Sequence, residues 1–284
     1  MIIDRPVTTN WDDAFANSAH IQGAAHYPDR WSAQADSFRA RMRAAGRAEL
    51  DLAYGSAERE RFDLFQPAST PAGLAVFAHG GFWKAFDKSS WSHLAEGALA
   101  RGWAVCLPSY TLAPEARIAD ITRQFARAIT FAAARVPGPL RLAGHSAGGH
   151  LATRMVCRDT PLPTEILNRI THVLSISGLH DLRPLLRTAM NATLRLDTAD
   201  AAAESPALNW PLEPCALTCW IGSDERPEFI RQTELLANIW AGLGAATRCV
   251  RAPGRHHYDV FAPLADSGSD LTQTFVGPMA VSAV

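Results

Sequence analysis

From position 74 onward the chain alternates short apolar runs with longer stretches of helical period, and few folds accept that rhythm. The runs cover residues 73–78, 103–107, 140–143, 172–177, 216–221 and 246–250. They show little polar and apolar alternation, the pattern of strands buried on both faces of a parallel sheet. Helical periods at 89–100, 118–135, 147–158 and 227–241 fill the gaps, each opened or closed by Pro, Ser or Gly. With right-handed crossovers this order predicts an α/β fold, a doubly wound and mostly parallel sheet with helices on both faces. Residues 50–54 and 61–66 flank a turn at Gly55 and predict an edge hairpin in front of it.

A sheet of this size fits the length. The 284 residues can form one undivided domain, 1–284, and 48% hydrophobic with 19% charged residues supply a core and no disorder signal. Three stretches follow the alternation less well. Residues 1–48 carry Trp11, Phe15, Tyr27 and Trp31 among polar neighbours and are expected to rim the active site at the C-terminal edge of the sheet. Residues 179–212 hold Pro184, Pro206 and Pro211, which predicts a short helical excursion beside the site. Residues 267–284 have turn formers without periodicity and are expected to form a loose tail.

Several partners are excluded by charge and spacing. Lys and Arg number 27 against 28 Asp and Glu, for a formal charge of −1, and no run of like charge attracts nucleic acid or an anionic membrane. The start breaks into polar residues and no 18-residue apolar run follows, so the cytoplasm is the expected compartment. Five cysteines are odd in number and lack zinc-pair spacing; Cys215 and Cys219 read as strand residues. There are ten histidines but no H-E-x-x-H, and the adjacent His256 and His257 cannot easily share one metal. No phosphate loop occurs, so neither metal nor cofactor is expected.

The strongest local signal is Gly144-His145-Ser146-Ala147-Gly148, a G-x-S-x-G directly after a predicted strand and before a helical period. Glycine on both flanks permits the cramped strand-to-helix turn that exposes a nucleophilic hydroxyl at a helix N-terminus. A serine hydroxyl is a weak nucleophile and needs a base and an oxyanion hole. His79-Gly80-Gly81-Phe82-Trp83 follows an earlier strand, where two glycines let backbone N–H groups approach a substrate oxygen; the donors assigned are Ala147 with Gly81 or Phe82. His79 reads as a residue that shapes this loop. The chain order nucleophile, acid, histidine places the base beyond the last strand, at His256 or His257. The acid falls in the turn Gly222-Ser223-Asp224-Glu225, where either carboxylate can reach. His145 and His150 read as packing or hydrogen-bonding residues, and Asp181, a third candidate acid after an earlier strand, reads rather as a partner of Arg183 or a cap.

These motifs resemble those of the α/β-hydrolases around the arylformamidases (kynurenine formamidases) and their bacterial esterase-like relatives. The resemblance runs roughly over residues 11–264 and rests on His79-Gly-Gly-Phe-Trp83, Gly144-His-Ser-Ala-Gly-Gly-His-Leu151, Asp181-Leu-Arg-Pro-Leu185, Pro227-Glu-Phe-Ile-Arg-Gln232 and His257-Tyr-Asp-Val260. It implies that His257 is the base and that Glu225, two residues before the fourth motif, is the acid, with Asp224 as rival. It also implies a small-molecule ester or aryl formamide substrate such as N-formylkynurenine, for which Trp83, Tyr27, Trp31 and Phe82 could wall an aromatic pocket. The expected chemistry is two-step acyl transfer through Ser146. The competing readings are a carboxylesterase, an arylformamidase in the strict sense, and a catalytically silent α/β-hydrolase that only binds ligands. Oligomeric state leaves no trace in the sequence.

Overall fold

Eight strands form one sheet in the order β1-β2-β4-β3-β5-β6-β7-β8. They are β1 Ala48–Ala53, β2 Arg61–Phe65, β3 Leu74–Ala78, β4 Ala104–Pro108, β5 Leu140–His145, β6 Ile170–Ile176, β7 Ala216–Gly222 and β8 Ala246–Ala252. The computed structural model describes residues 8, 10–214 and 216–277. β2 runs antiparallel to both β1 and β4, and every pair from β4 through to β8 is parallel. Cys219 lies in β7, whereas Cys215 lies outside the described residues.

The central strands show why their sequences carry no alternation: β3, β4 and β5 are buried at every position. Side chains still alternate in space. Leu74, Val76 and Ala78 pack into one core with Phe125, Ile129 and Leu151. Ala75 and Phe77 enter the other with Phe38, Trp91 and Phe275. Burying two such layers is the main driving force for the fold. β8 departs from the expectation of burial on both faces. It is the sheet's edge, its residues only exposed or half-buried, because no strand lies beyond it.

The helices, in chain order, are α1 Trp11–Phe15, α2 Tyr27–Ala44, α3 Glu96–Ala100, α4 Ile118–Ala133, α5 Ala147–Arg154, α6 Thr164–Leu167, α7 Asn191–Leu194, α8 Thr198–Ala203, α9 Pro227–Gly242 and α10 Asp270–Val276. The helical period at 89–100 divides: Lys88–Ala95 is 3-10 and only α3 is α-helical. The expected loose tail is corrected. Ser269 caps α10 by accepting from the Thr272 N–H, and Leu271, Phe275 and Val276 are buried in the second core. A capped helix of seven residues carrying an i, i+4 apolar pair is too short to show as periodicity in sequence. Residues 278–284 of that stretch lie outside the described residues.

The stretch 179–212 contains α7, α8 and short 3-10 turns. It packs against the N-terminal arm rather than against the cleft described below: the Ala189 N–H donates to Asp12 at 2.7 Å and the Arg187 guanidinium lies over the Trp11 ring. Among the described residues no helix is long and apolar enough to cross a membrane.

Candidate active site

The turn from β5 into α5 is set by contacts that only glycine allows. A Cβ on Gly144 would stand 2.0 Å from the Gly148 carbonyl oxygen, and one on Gly148 would stand 2.0 Å from that of Ala78. Strand and helix are pressed together, and Ser146 between them takes φ 56° and ψ −119°. A non-glycine residue rarely holds a positive φ unless its surroundings enforce it. Here the Ser146 N–H donates to the Ile176 carbonyl at 2.8 Å and the Ser146 carbonyl accepts from the His150 N–H at 3.2 Å.

A second strained turn faces the first. After β3, Gly81, Phe82 and Trp83 take φ of 108°, 49° and 56° in succession. Gly80 packs so close that a Cβ there would meet the Ser146 Cβ at 3.1 Å. The His79 ring stacks on Tyr110 at 4.4 Å and shares a hydrogen bond with the Gly80 carbonyl at 2.7 Å, while the Tyr110 hydroxyl donates to the His79 carbonyl. Burial pushes the His79 pKa down to about 4. This neutral, enclosed ring shapes the loop.

His257 follows β8, and its Nδ1 lies 2.6 Å from Glu225 Oε2. The other carboxylate oxygen of Glu225 accepts from the Gly222 N–H and from the Ser177 hydroxyl. Ser177 itself sits at φ 50°, at the end of β6. Asp224 turns outward instead: it is exposed, and its carboxylate accepts from Ser223 while its N–H donates to Arg255. Of the two adjacent carboxylates, only Glu225 meets the histidine.

Ser146, His257, Gly81 and Phe82 open on one cavity of about 220 Å³, whose other walls include aromatic rings, small residues and Lys84. Phe15, Asn17 and Trp31 come from the N-terminal arm, Trp91 from the 3-10 helix Lys88–Ala95, and Phe86 and Tyr258 from the loops after β3 and β8. Two pocket assignments need correction. Trp83 is fully buried below the loop, edge-on to His150 at 5.0 Å, because φ 56° turns its side chain into the core. Tyr27 stands one layer back, against Trp31 and Tyr258, and its hydroxyl bonds His256 Nε2 at 3.1 Å. Asn17, Phe86, Trp91 and Tyr258 were missed. Trp91 sits in what reads as an ordinary helical period, and nothing local marks it as facing a cleft.

The remaining histidines and acids have structural partners. The His145 ring lies tilted against those of His257 and Phe261, with centroids 4.5 and 4.6 Å away, and burial drives its pKa well down. His150 bonds the Glu204 carbonyl at 2.7 Å. Asp181 holds Arg183 through two contacts, at 2.9 and 3.0 Å. Among the described residues no group of three or more His, Cys, Asp or Glu side chains is arranged to hold a metal ion.

Residues 75–279 match the profile of the alpha/beta hydrolase family. The chain belongs to that family. Among relatives of this hydrolase, the kynurenine formamidase of Danio rerio is 26% identical over 93% of this chain and 97% of its own. A crystal structure from Silicibacter sp. TM1040, provisionally assigned as a thioesterase, is 50% identical, with a TM-score of 0.90 over 94% of this chain and 99% of that one. Esterase B of Lactobacillus rhamnosis shares the fold, with a TM-score of 0.63 and 17% identity over 88% of this chain and 91% of that one.

Proposed function

We propose that this chain is a serine hydrolase that cleaves small aryl formamides or carboxylic esters through an acyl-enzyme on Ser146. The observation that carries the reading is the 2.6 Å contact between His257 and the buried carboxylate of Glu225, opening on the same cleft as a serine at a strained strand-to-helix turn.

Glu225 holds the Nδ1–H of His257, which leaves Nε2 free to accept a proton. His257 takes the Ser146 hydroxyl proton as Oγ bonds to the substrate carbonyl carbon. The N–H groups of Ala147 and of Gly81 or Phe82 stabilise the oxyanion of the tetrahedral intermediate. His257 then gives its proton to the leaving aryl amine or alcohol, and the C–N or C–O bond breaks. Water repeats the sequence, releasing the acid and restoring Ser146. The His145 ring packs against that of His257 and is itself backed by Phe261.

The cleft suits a single ring with a short acyl group. The formamide reading draws on the Danio rerio relative, and a thioester is a further acyl donor in view of the Silicibacter structure. The test is fluorophosphonate labelling followed by kcat/KM for N-formylkynurenine, p-nitrophenyl acetate and S-phenyl thioacetate, with Ser146→Ala as blank. An adduct on Ser146 and turnover lost in the variant are expected, and the fastest substrate names the leaving-group class. A folded protein without adduct or turnover would mean a catalytically silent, ligand-binding hydrolase fold.

A further inference from the structure

We infer that Asn17 is a specificity-determining residue, whose carboxamide takes a second hydrogen-bonding group on an aromatic substrate, such as a ring-borne amide or ketone, away from the scissile bond. This rests on the hydrolase reading above and extends it from the reacting carbonyl to the rest of the substrate.

Asn17 lines the cleft and is only 6% exposed, yet neither its Oδ1 nor its Nδ2 has a hydrogen-bond partner among the described residues. An enclosed carboxamide with both ends unpaired is costly, and an apolar side chain of the same size would be cheaper. Its local backbone gives no reason for an asparagine. The Asn17 N–H donates to the Phe15 carbonyl and its own carbonyl accepts from His20, both at 3.0 Å, through main-chain atoms that any residue supplies. Nor does the side chain cap the 3-10 turn Ser18–His20 that follows. With the backbone fixed, the two side-chain torsions are what can turn the amide onto a ligand.

The surroundings define the ligand's character. Phe15, Trp31, Phe86 and Trp91 make an apolar slot for a ring. Turned into this slot, the Asn17 carboxamide offers a ligand both a donor and an acceptor. A carbonyl or carboxamide carried on the ring satisfies this set, and a plain phenyl ester or formanilide leaves it unsatisfied. Sites built to hydrogen-bond a substrate group discriminate strongly against analogues that lack it.

The experiment compares kcat/KM for formanilide with that for the 2-, 3- and 4-formamidobenzamides, and for phenyl acetate with that for the corresponding acetoxybenzamides. The ratio is read within each protein. Wild type is expected to favour one carboxamide isomer by about tenfold or more. In Asn17→Leu, close in size, and in Asn17→Ala that preference shrinks to about twofold, while the Tm of Asn17→Leu does not fall. An unchanged preference in folded Asn17→Leu, or no preference in wild type, overturns the inference. Fluorophosphonate labelling and phenyl acetate turnover separate the two readings. If both persist with equal ratios, only the role of Asn17 falls; if both are absent in wild type, the hydrolase reading falls with it.

Discussion

The two walls of the cleft are built on different principles. The wall carried by the sheet is held by close backbone approach and short polar contacts: Gly144 against Gly148, Gly80 against Ser146, and Glu225 tied to Gly222, Ser177 and His257. The wall carried by the arm presents packed rings to the cleft. Trp31 meets Trp91, Phe261 and Tyr258 within 6 Å, and Phe15 meets Phe82 and Phe229 at 6.5 and 6.0 Å. Hydrogen bonds and glycine contacts set geometry to tenths of an ångström, whereas ring packing tolerates exchange. On the proposed reading, chemistry resides in the first wall and substrate choice in the second.

The comparison breaks most visibly at the first wall. Ser146→Ala and His257→Gln are each expected to lower kcat by about 10³-fold or more with the fold retained, read by steady-state turnover beside circular dichroism. Residual activity near wild type in either would dissolve the distinction. Next comes Glu225→Gln, expected to cost about 10²- to 10⁴-fold in kcat, against little change in Asp224→Asn. The opposite ranking would move the acid to the exposed neighbour.

Acid should weaken the wall carried by the sheet. Burial lowers the pKa of His79 to about 4 and of His150, His172 and His180 to about 3, below the ordinary value of 6.5. These residues stay neutral when folded but protonate near pH 6.5 when unfolded, so the unfolded chain binds more protons below that pH. Their contribution is whole above pH 6.5 and is lost progressively as pH falls toward 3–4. Urea titrations at pH 7.5 and pH 5 should show a lower midpoint at pH 5 with an unchanged slope. A midpoint independent of pH would contradict neutral burial.

The second wall should respond in stability and selectivity. Trp31→Ala removes a side chain only 5% exposed and is expected to cost about 3 kcal/mol, with KM moving more than kcat. Smallest is Tyr27→Phe, which deletes the hydroxyl bond to His256; a loss of about 1 kcal/mol or less and a kcat within a few-fold of wild type are expected. A collapse of kcat there would show that the arm positions the base.

Much of this architecture is legible along the chain because its causes are local. Residues 140–154 spell strand, glycine-bounded turn and helix, and the apolar runs from residue 74 onward fall within a residue or a few of the observed strands. Where the sequence misled, the causes were distant. Trp83 reads as a pocket residue, but its positive φ turns the ring into the core. Residues 270–276 read as a loose tail until Leu271 and Phe275 find the second core. Asp224 and Glu225 are equal candidates by position, and only the placement of β6 and of the loop after β8 gives one of them Ser177 and His257 as partners. Periodicity, glycine placement and motif spacing are properties of neighbouring residues, so the sequence by itself determined the sheet, the elbow and the order of the candidate site residues. Which carboxylate turns inward, and which aromatic rings face the cleft, depends on contacts between residues tens to hundreds of positions apart, and tertiary structure alone decided those.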